Sequence, residues 1–478
     1  MIEWIIYIYF IYTKFMAIFN HNQTVSPLDR DLAMHNEYIQ SGSAAYLRAN
    51  LALFAAGFVT FITLYDVQPL LPEFSRTFAI PPALASLPLS AATFTLAGAM
   101  LIAGTLSETL GRRPVMIASL FLTSILALLT AFSHTLTSLV LLRLVQGMVL
   151  AGLPPVAMAY LSEEIEPATI GTAMGLYIAG NAIGGMSGRI VTATLTDYFS
   201  WHVALGTVGV VCLALSIYFV CTLPPSTHFR RRPFATRYLF TSLAQQFRDP
   251  ILVSLFGISF LVMGSFVTLF NYITFRLIGP DYHLSQTLVS MIFLAYLFGA
   301  CSSSLTGTLV NRFGRSATLR IGLGTMAAGM AITLASPLAW VIAGIVLFTC
   351  GFFITHAAAS TWVGRQAKTA KAQASSLYLF FYYLGASISG TAGGFCWTRL
   401  GWHGVAGLIA LLLLVALTLT VVLVRLTARR QAETSSASMS PSPAAQAASP
   451  VVVTHSTGMD RGLAHSSLPP GKNSSKSW

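Results

Sequence analysis

Twelve apolar runs follow one another along this chain, each long enough to cross a bilayer as a helix, which takes about 20 residues for about 30 Å of hydrocarbon. They span approximately 49–71, 84–106, 115–134, 137–162, 168–196, 202–222, 251–276, 286–310, 317–336, 338–363, 373–397 and 403–426. With 55% hydrophobic and only 9% charged residues in 478, the chain lacks the polar surface of a soluble globular protein. The expectation is an all-α membrane protein of twelve transmembrane helices. The longest polar interruption, residues 223–250, divides the helices into six and six. The expected organisation is therefore an N-terminal extension (1–48), a first bundle (49–222), a linker (223–250), a second bundle (251–427) and a tail (428–478).

The net charge of +12 comes from short loops rather than from a basic helix or patch, so no nucleic-acid partner is expected. Lys and Arg concentrate on one side: Arg112, Arg113, Arg230, Arg231, Arg232, Arg237, Arg248, Arg312, Arg315, Arg320, Arg365, Lys368, Lys371, Arg425, Arg429 and Arg430. The opposite side has little beyond Arg76 and Arg399. By the positive-inside rule, both termini and the linker are expected in the cytoplasm. Cys212, Cys221, Cys301, Cys350 and Cys396 lie inside apolar stretches without metal-ligand spacing and read as small buried hydrophobes.

The two ends have their own signatures. Residues 1–19 are apolar but include Glu3 and Lys14 and lack a basic n-region or small-residue cleavage site, so they read as an extension rather than a signal peptide. An interfacial anchor helix is the alternative. From Gln431 onward the Ser, Ala and Pro bias predicts disorder.

An internal duplication joins the two halves. GTLSETLGRRP (104–114) has a counterpart in GTLVNRFGRSA (307–317), and the FVT at 58–60 has one at 266–268. Gly180, Gly184 and Gly188 in the fifth helix match Gly385, Ser389 and Gly393 in the eleventh. Small residues four apart let helix backbones approach closely, and matched stripes at a constant offset predict two pseudo-symmetric six-helix bundles, a parallel repeat used by transporters.

These residues resemble the major facilitator superfamily. Gly104, Leu106, Glu108, Gly111, Arg112 and Arg113 look like its signature loop between helices two and three. Arg143, Gln146 and Gly147 are similar to its R-x-x-Q-G motif in helix four, and QPLLP (68–72) to the proline pair of the drug:proton antiporter branch. The arabinose-efflux-permease-like inner-membrane transporters are the subgroup it most resembles. The sequence departs from the antiporter pattern at Asn181, where that branch carries Pro, and at Glu108, where the signature has Asp. The resemblance implies a loop that contacts the opposite half and steadies the outward-open state. Gly104, Glu108, Gly111, Arg112 and Arg113, with Gly307, Asn311, Gly314 and Arg315 in the second copy, are then a conformational gate, in which Glu108 and Arg112, four residues apart, pair.

Ionisable residues inside a bilayer are costly and mark function by default. In the first half they are Asp66, Arg143 and Arg189, which at about 1.5 Å rise per residue share one level, roughly 9 to 12 Å inside the outer boundary. Asp66 reads either as a water-reached helix end or as a proton-coupling carboxylate partnered by Arg143, a pairing the resemblance supports. Arg143 reads alternatively as a strut to backbone carbonyls. Arg189 either snorkels to the outer interface or binds an anionic group of the cargo. Asn181, Asn271, Tyr272, Tyr378 and Tyr382 complete the candidate cargo-binding set, beside Arg276, Tyr296, His356, Trp362 and Tyr383. For the aromatic residues, packing is the alternative.

No phosphate-cradling G-x-x-x-x-G-K-[ST] loop, H-E-x-x-H motif or nucleophile-and-base arrangement is present, and neither an enzyme nor a cofactor is expected. The expectation is a secondary transporter in the bacterial inner membrane, working as a monomer, with protons, lipid and a small organic solute as partners. Proton-coupled efflux leads; import of a sugar or organic anion, and a membrane sensor that moves nothing, are the alternatives.

Overall fold

The computed structural model describes residues 38–231, 236–367 and 369–439. Residues 1–37 of the expected extension, Arg232, Lys368 and residues 440–478 of the tail lie outside them. Among the described residues nine helices are long and apolar enough to cross a membrane. They are α1 (Ala44–Thr77), α2 (Leu87–Leu110), α3 (Arg112–Thr130), α4 (Leu136–Glu164), α6 (Trp201–Thr222), α7 (Pro250–Ile278), α8 (Gln286–Ser304), α10 (Leu338–Gln366) and a final long one.

The final helix, Lys371–Met439, breaks at Gly401 (φ 57°, ψ −141°) into α11 (371–400) and α12 (402–439). Two more helices occupy the remaining places, α5 (Ile170–Tyr198) and α9 (Arg315–Ile332). Arg189 and Asp197 lower the apolar character of α5, and Arg315 and Arg320 that of α9. Twelve spans in two sets of six result. Helix starts at Ala44 rather than 49 because Ser43 accepts the Tyr46 N–H as N-cap, and it continues to Met439, beyond the Gln431 where irregular chain is expected.

The doubly basic loop at 104–114 is almost entirely helical. Helix α2 runs to Leu110 and α3 begins at Arg112, so Gly111 alone makes the turn, with φ 101°. Gly314 does the same between a helical extension of α8 (Thr306–Phe313) and α9, with φ 83°. Only glycine adopts such backbone without strain, so the repeated G-R pair is one reversal used twice.

The small-residue stripes are close helix contacts. A Cβ on Gly180, Gly184 or Gly188 would lie 2.4, 2.4 or 2.8 Å from the carbonyl oxygens of Phe54, Phe58 and Ile62 on α1. On α11, one at Gly385 would lie 2.1 Å from the Phe260 oxygen and one at Gly393 2.6 Å from the Tyr272 ring, both on α7. Thus α1 packs on α5 as α7 packs on α11.

Hydrogen bonds between the two halves, among the described residues, all lie at the end opposite the basic loops. Ser387 and Thr391 of α11 donate to the Ser90 carbonyl and hydroxyl of α2, each at 2.8 Å. Asp197 at the end of α5 accepts the backbone N–H groups of Gln286 (3.1 Å) and Thr287 (2.7 Å) at the start of α8. Gln68 of α1 donates to Asn271 of α7 at 2.8 Å. The bundle is fastened at one end.

Candidate functional site

The first part of α1 stops at Tyr65, with Asp66 as its C-cap and a 3-10 turn, Gln68–Leu70, held by Pro69. A helix end leaves carbonyls without partners, and here a side chain takes them. Arg143 donates to the Thr63 and Leu64 carbonyls, each at 2.7 Å, to Asp66 Oδ1 at 3.2 Å and to Gln146 Oε1 at 2.7 Å. Asp66 and Arg143 have side chains about 1% exposed. Arg143 is therefore both the strut and the ion-pair partner, and the two readings of it describe one geometry.

Arg189 does not reach Asp66; one turn on, Thr192 donates to the Asp66 carbonyl at 2.8 Å. Nor does Arg189 snorkel, being 2% exposed. It donates to Gln68 Oε1 and to the Gly185 carbonyl, each at 2.6 Å. Its guanidinium lies over three rings: Tyr65 at 4.0 Å from the first half, Tyr296 at 4.9 Å and Phe293 at 5.1 Å from the second. Gln68, the neutral first residue of QPLLP, is the joint: it accepts from Arg189 and donates to Asn271. Asn271 is fully buried and its Nδ2 has no hydrogen-bond partner.

From Arg189 an aromatic wall extends through the second half. Tyr296 meets Phe266 at 5.4 Å, Phe266 stacks on Phe352 at 3.8 Å, and Phe352 stacks on His356 at 5.9 Å. His356 Nδ1 lies 3.0 Å from the Tyr378 hydroxyl, and its ring 4.9 Å from Tyr382. Tyr383 is buried behind Tyr382 at 5.1 Å. Tyr378, Tyr382 and His356 thus come together, while two other candidates do not join them. Tyr272 donates to the Gly390 carbonyl at 2.6 Å inside the α7–α11 contact, and Asn181 lies against Gly57 inside the α1–α5 contact. Arg276 donates to the Thr333 and Ala335 carbonyls and lies over Trp402, closing the end of α9. Trp362 is buried, with Arg315 over its ring at 5.9 Å.

At the basic end the short contact of Arg112 is not Glu108. Its guanidinium lies 2.7 Å from Glu163 Oε1, against 3.9 Å to Glu108, and donates also to Ser107. Arg113 donates to the Val220 carbonyl at 3.2 Å. Neighbouring Glu164, its side chain fully buried, accepts Ser226, Thr227 and both the backbone and ring nitrogens of His228 at 2.8 to 3.0 Å. The start of the linker is thereby fastened to the first half beside Gly111, and Phe229 lies under Arg112 at 5.6 Å. Two adjacent acids closing helix four were the available signal for this. Gly104 is half-buried with nothing near the place of a side chain. In the second copy Gly307, Asn311 and Gly314 are exposed and Arg315 is half-buried.

Comparisons with known proteins agree with this architecture. The family model of the Major Facilitator Superfamily matches residues 51–390 and 255–457. The MFS-type transporter YybF of Bacillus subtilis (strain 168) is 50% identical over 377 residues, which cover 79% of this chain and 93% of that protein. The inner membrane transport protein YnfM of Escherichia coli (strain K12) is 45% identical over 385 residues, 80% of this chain and 92% of that one. A solved bacterial homologue of the human lysosomal transporter Spinster, inward-facing and occupied, superposes with a TM-score of 0.66 at 14% identity, covering 80% of this chain and 98% of that chain, and so shares the fold. Twelve spans, a duplicated loop and these matches together assign the chain to the major facilitator superfamily of membrane-spanning transporters.

Proposed function

We propose that the protein is a secondary transporter that exports a small organic solute from bacteria in exchange for protons, acting as a monomer in the inner membrane. Its basic loops, both termini and the linker face the cytoplasm. The observation that carries the reading is the buried Asp66–Arg143 pair at 3.2 Å. A carboxylate buried in a bilayer is tolerable while its counter-ion is in place, and Arg143 is anchored to carbonyls of the same helix end. Any movement that separates the two, or admits water between them, changes the proton affinity of Asp66. That is the requirement for coupling a proton to alternating access.

On this orientation the fastened end is periplasmic, so the outer side is the closed one. Gln68, Asn271, Ser90, Ser387, Thr391 and Asp197 form the outer closure. The loop at Gly111, held to Glu163 and the linker, becomes part of the inner closure when the halves rock.

Proteoliposomes with an imposed pH gradient test the proposal. Solute flux and internal pH, recorded together over a panel of small organic solutes, should move in opposite directions across the membrane and both collapse with a protonophore. Solute flux unaffected by the protonophore would remove coupling and leave the transporter.

A further inference from the structure

The charges buried at the outer closure do not balance. Asp66 and Arg143 neutralise one another, which leaves Arg189, 2% exposed, with no carboxylate partner among the described residues. Its partners are an amide oxygen, a carbonyl and three aromatic faces. Asp197, two turns further along α5, gives its carboxylate to the backbone at the start of α8. A lone buried cation in a membrane protein is expensive, and its natural complement is an anion.

A second observation points the same way. Asn271 Nδ2 is a buried donor without an acceptor, in a side chain that Gln68 ties directly to Arg189. An unpaired buried donor is costly in itself. Arg189 and Asn271 thus face one joint from opposite halves, the first without a carboxylate and the second with an unpaired donor.

We infer that Arg189 and Asn271 form the docking point for a carboxylate or sulfonate on the cargo, and that the cargo is an amphipathic aromatic anion whose body lies along the Tyr296–Phe266–Phe352 wall. The inference rests on the transport reading and names its substrate class. An anion that accepts from Arg189 competes directly with Gln68 Oε1, the present acceptor at 2.6 Å. Displacing Gln68 also releases its 2.8 Å bond to Asn271, one of the links between the halves. Cargo binding and loosening of the outer closure are then one event.

Equilibrium binding to the full-length protein in nanodiscs, with no pH gradient, tests this. The probes are benzoate, phenylacetate and benzenesulfonate, each beside its neutral amide, with methanesulfonate as the aliphatic anion. Saturable binding of an aryl anion is expected, at least about tenfold tighter than its amide. Arg189→Gln should abolish that preference and Arg189→Lys should retain part of it. Asn271→Asp, near-isosteric, should weaken anion binding by placing a carboxylate of the protein's own at the joint. Amides binding as tightly as anions, methanesulfonate binding as tightly as benzenesulfonate, no probe binding, or an anion preference unchanged in both Arg189→Gln and Asn271→Asp would overturn the inference. Flux of neutral solutes without anion binding would remove it and leave transport standing, whereas anion binding without any flux would remove transport and leave the site.

Discussion

Gln68 spans the two halves: its Nε2 donates to Asn271 at 2.8 Å while its Oε1 accepts from Arg189 at 2.6 Å. One side chain therefore links the buried cation of the first half to the buried amide of the second. Gln68→Ala should remove about 1 kcal/mol of closure, a net buried hydrogen bond, and raise the outward-open population about fivefold. Labelling of a cysteine placed at Ser387 with an impermeant reagent, in a background lacking the exposed Cys221 and Cys301, reads it; unchanged labelling contradicts the assignment.

Asp197 caps the first turn of α8 from the opposite half, accepting two backbone N–H groups. A carboxylate at a helix N-terminus contributes through both capping and the helix dipole, about 1 kcal/mol. Asp197→Asn should therefore increase the same labelling, by less at high salt than at low salt. Equal effects at both would assign the contact to hydrogen bonding alone.

The α1–α5 contact sets a stability prediction. Gly184→Ala places a Cβ 2.4 Å from the Phe58 carbonyl oxygen, against which nothing flexible can yield, and overpacking of this kind costs about 1–3 kcal/mol. Gly98→Ala, with nothing within 4 Å, should be neutral or stabilising by up to about 1 kcal/mol. Thermal unfolding in detergent separates them, and equal midpoints would refute the close approach.

At the basic end, Glu163→Gln takes the close carboxylate from the largely buried Arg112 and should cost about 1–2 kcal/mol, the loss of a charge-assisted hydrogen bond. Glu108→Gln removes a contact at 3.9 Å with a 38% exposed side chain and should change stability by no more than about 0.5 kcal/mol. The reverse order would restore Glu108 as the principal partner.

The sequence and the structure agree where a physical period governs. Run length and apolarity predict the spans, and four-residue glycine spacing predicts the helix contacts at Gly184 and Gly385. Counting rise per residue brings Asp66 and Arg143 to one level. Long-range choices of partner are not periodic. Nothing local distinguishes Glu163 from Glu108 as the partner of Arg112, because the choice depends on where α4 ends relative to α3. Gln68 is one neutral side chain inside a proline motif, and its role exists only once α1, α5 and α7 converge. Arg189 presents the same difficulty: its aromatic neighbours are Tyr65 of α1 and Phe293 and Tyr296 of α8, in opposite halves.

In the proposed function the Asp66–Arg143 pair couples transport to protons, and Asp66→Asn tests this most directly. The variant leaves Arg143 without its carboxylate and should be less stable than the parent, but it should still fold, since Arg143 keeps its bonds to Thr63, Leu64 and Gln146. Uphill solute flux driven by an imposed pH gradient in proteoliposomes should be lost, while solute exchange without a gradient persists. Uphill flux by Asp66→Asn equal to the parent's would contradict the account.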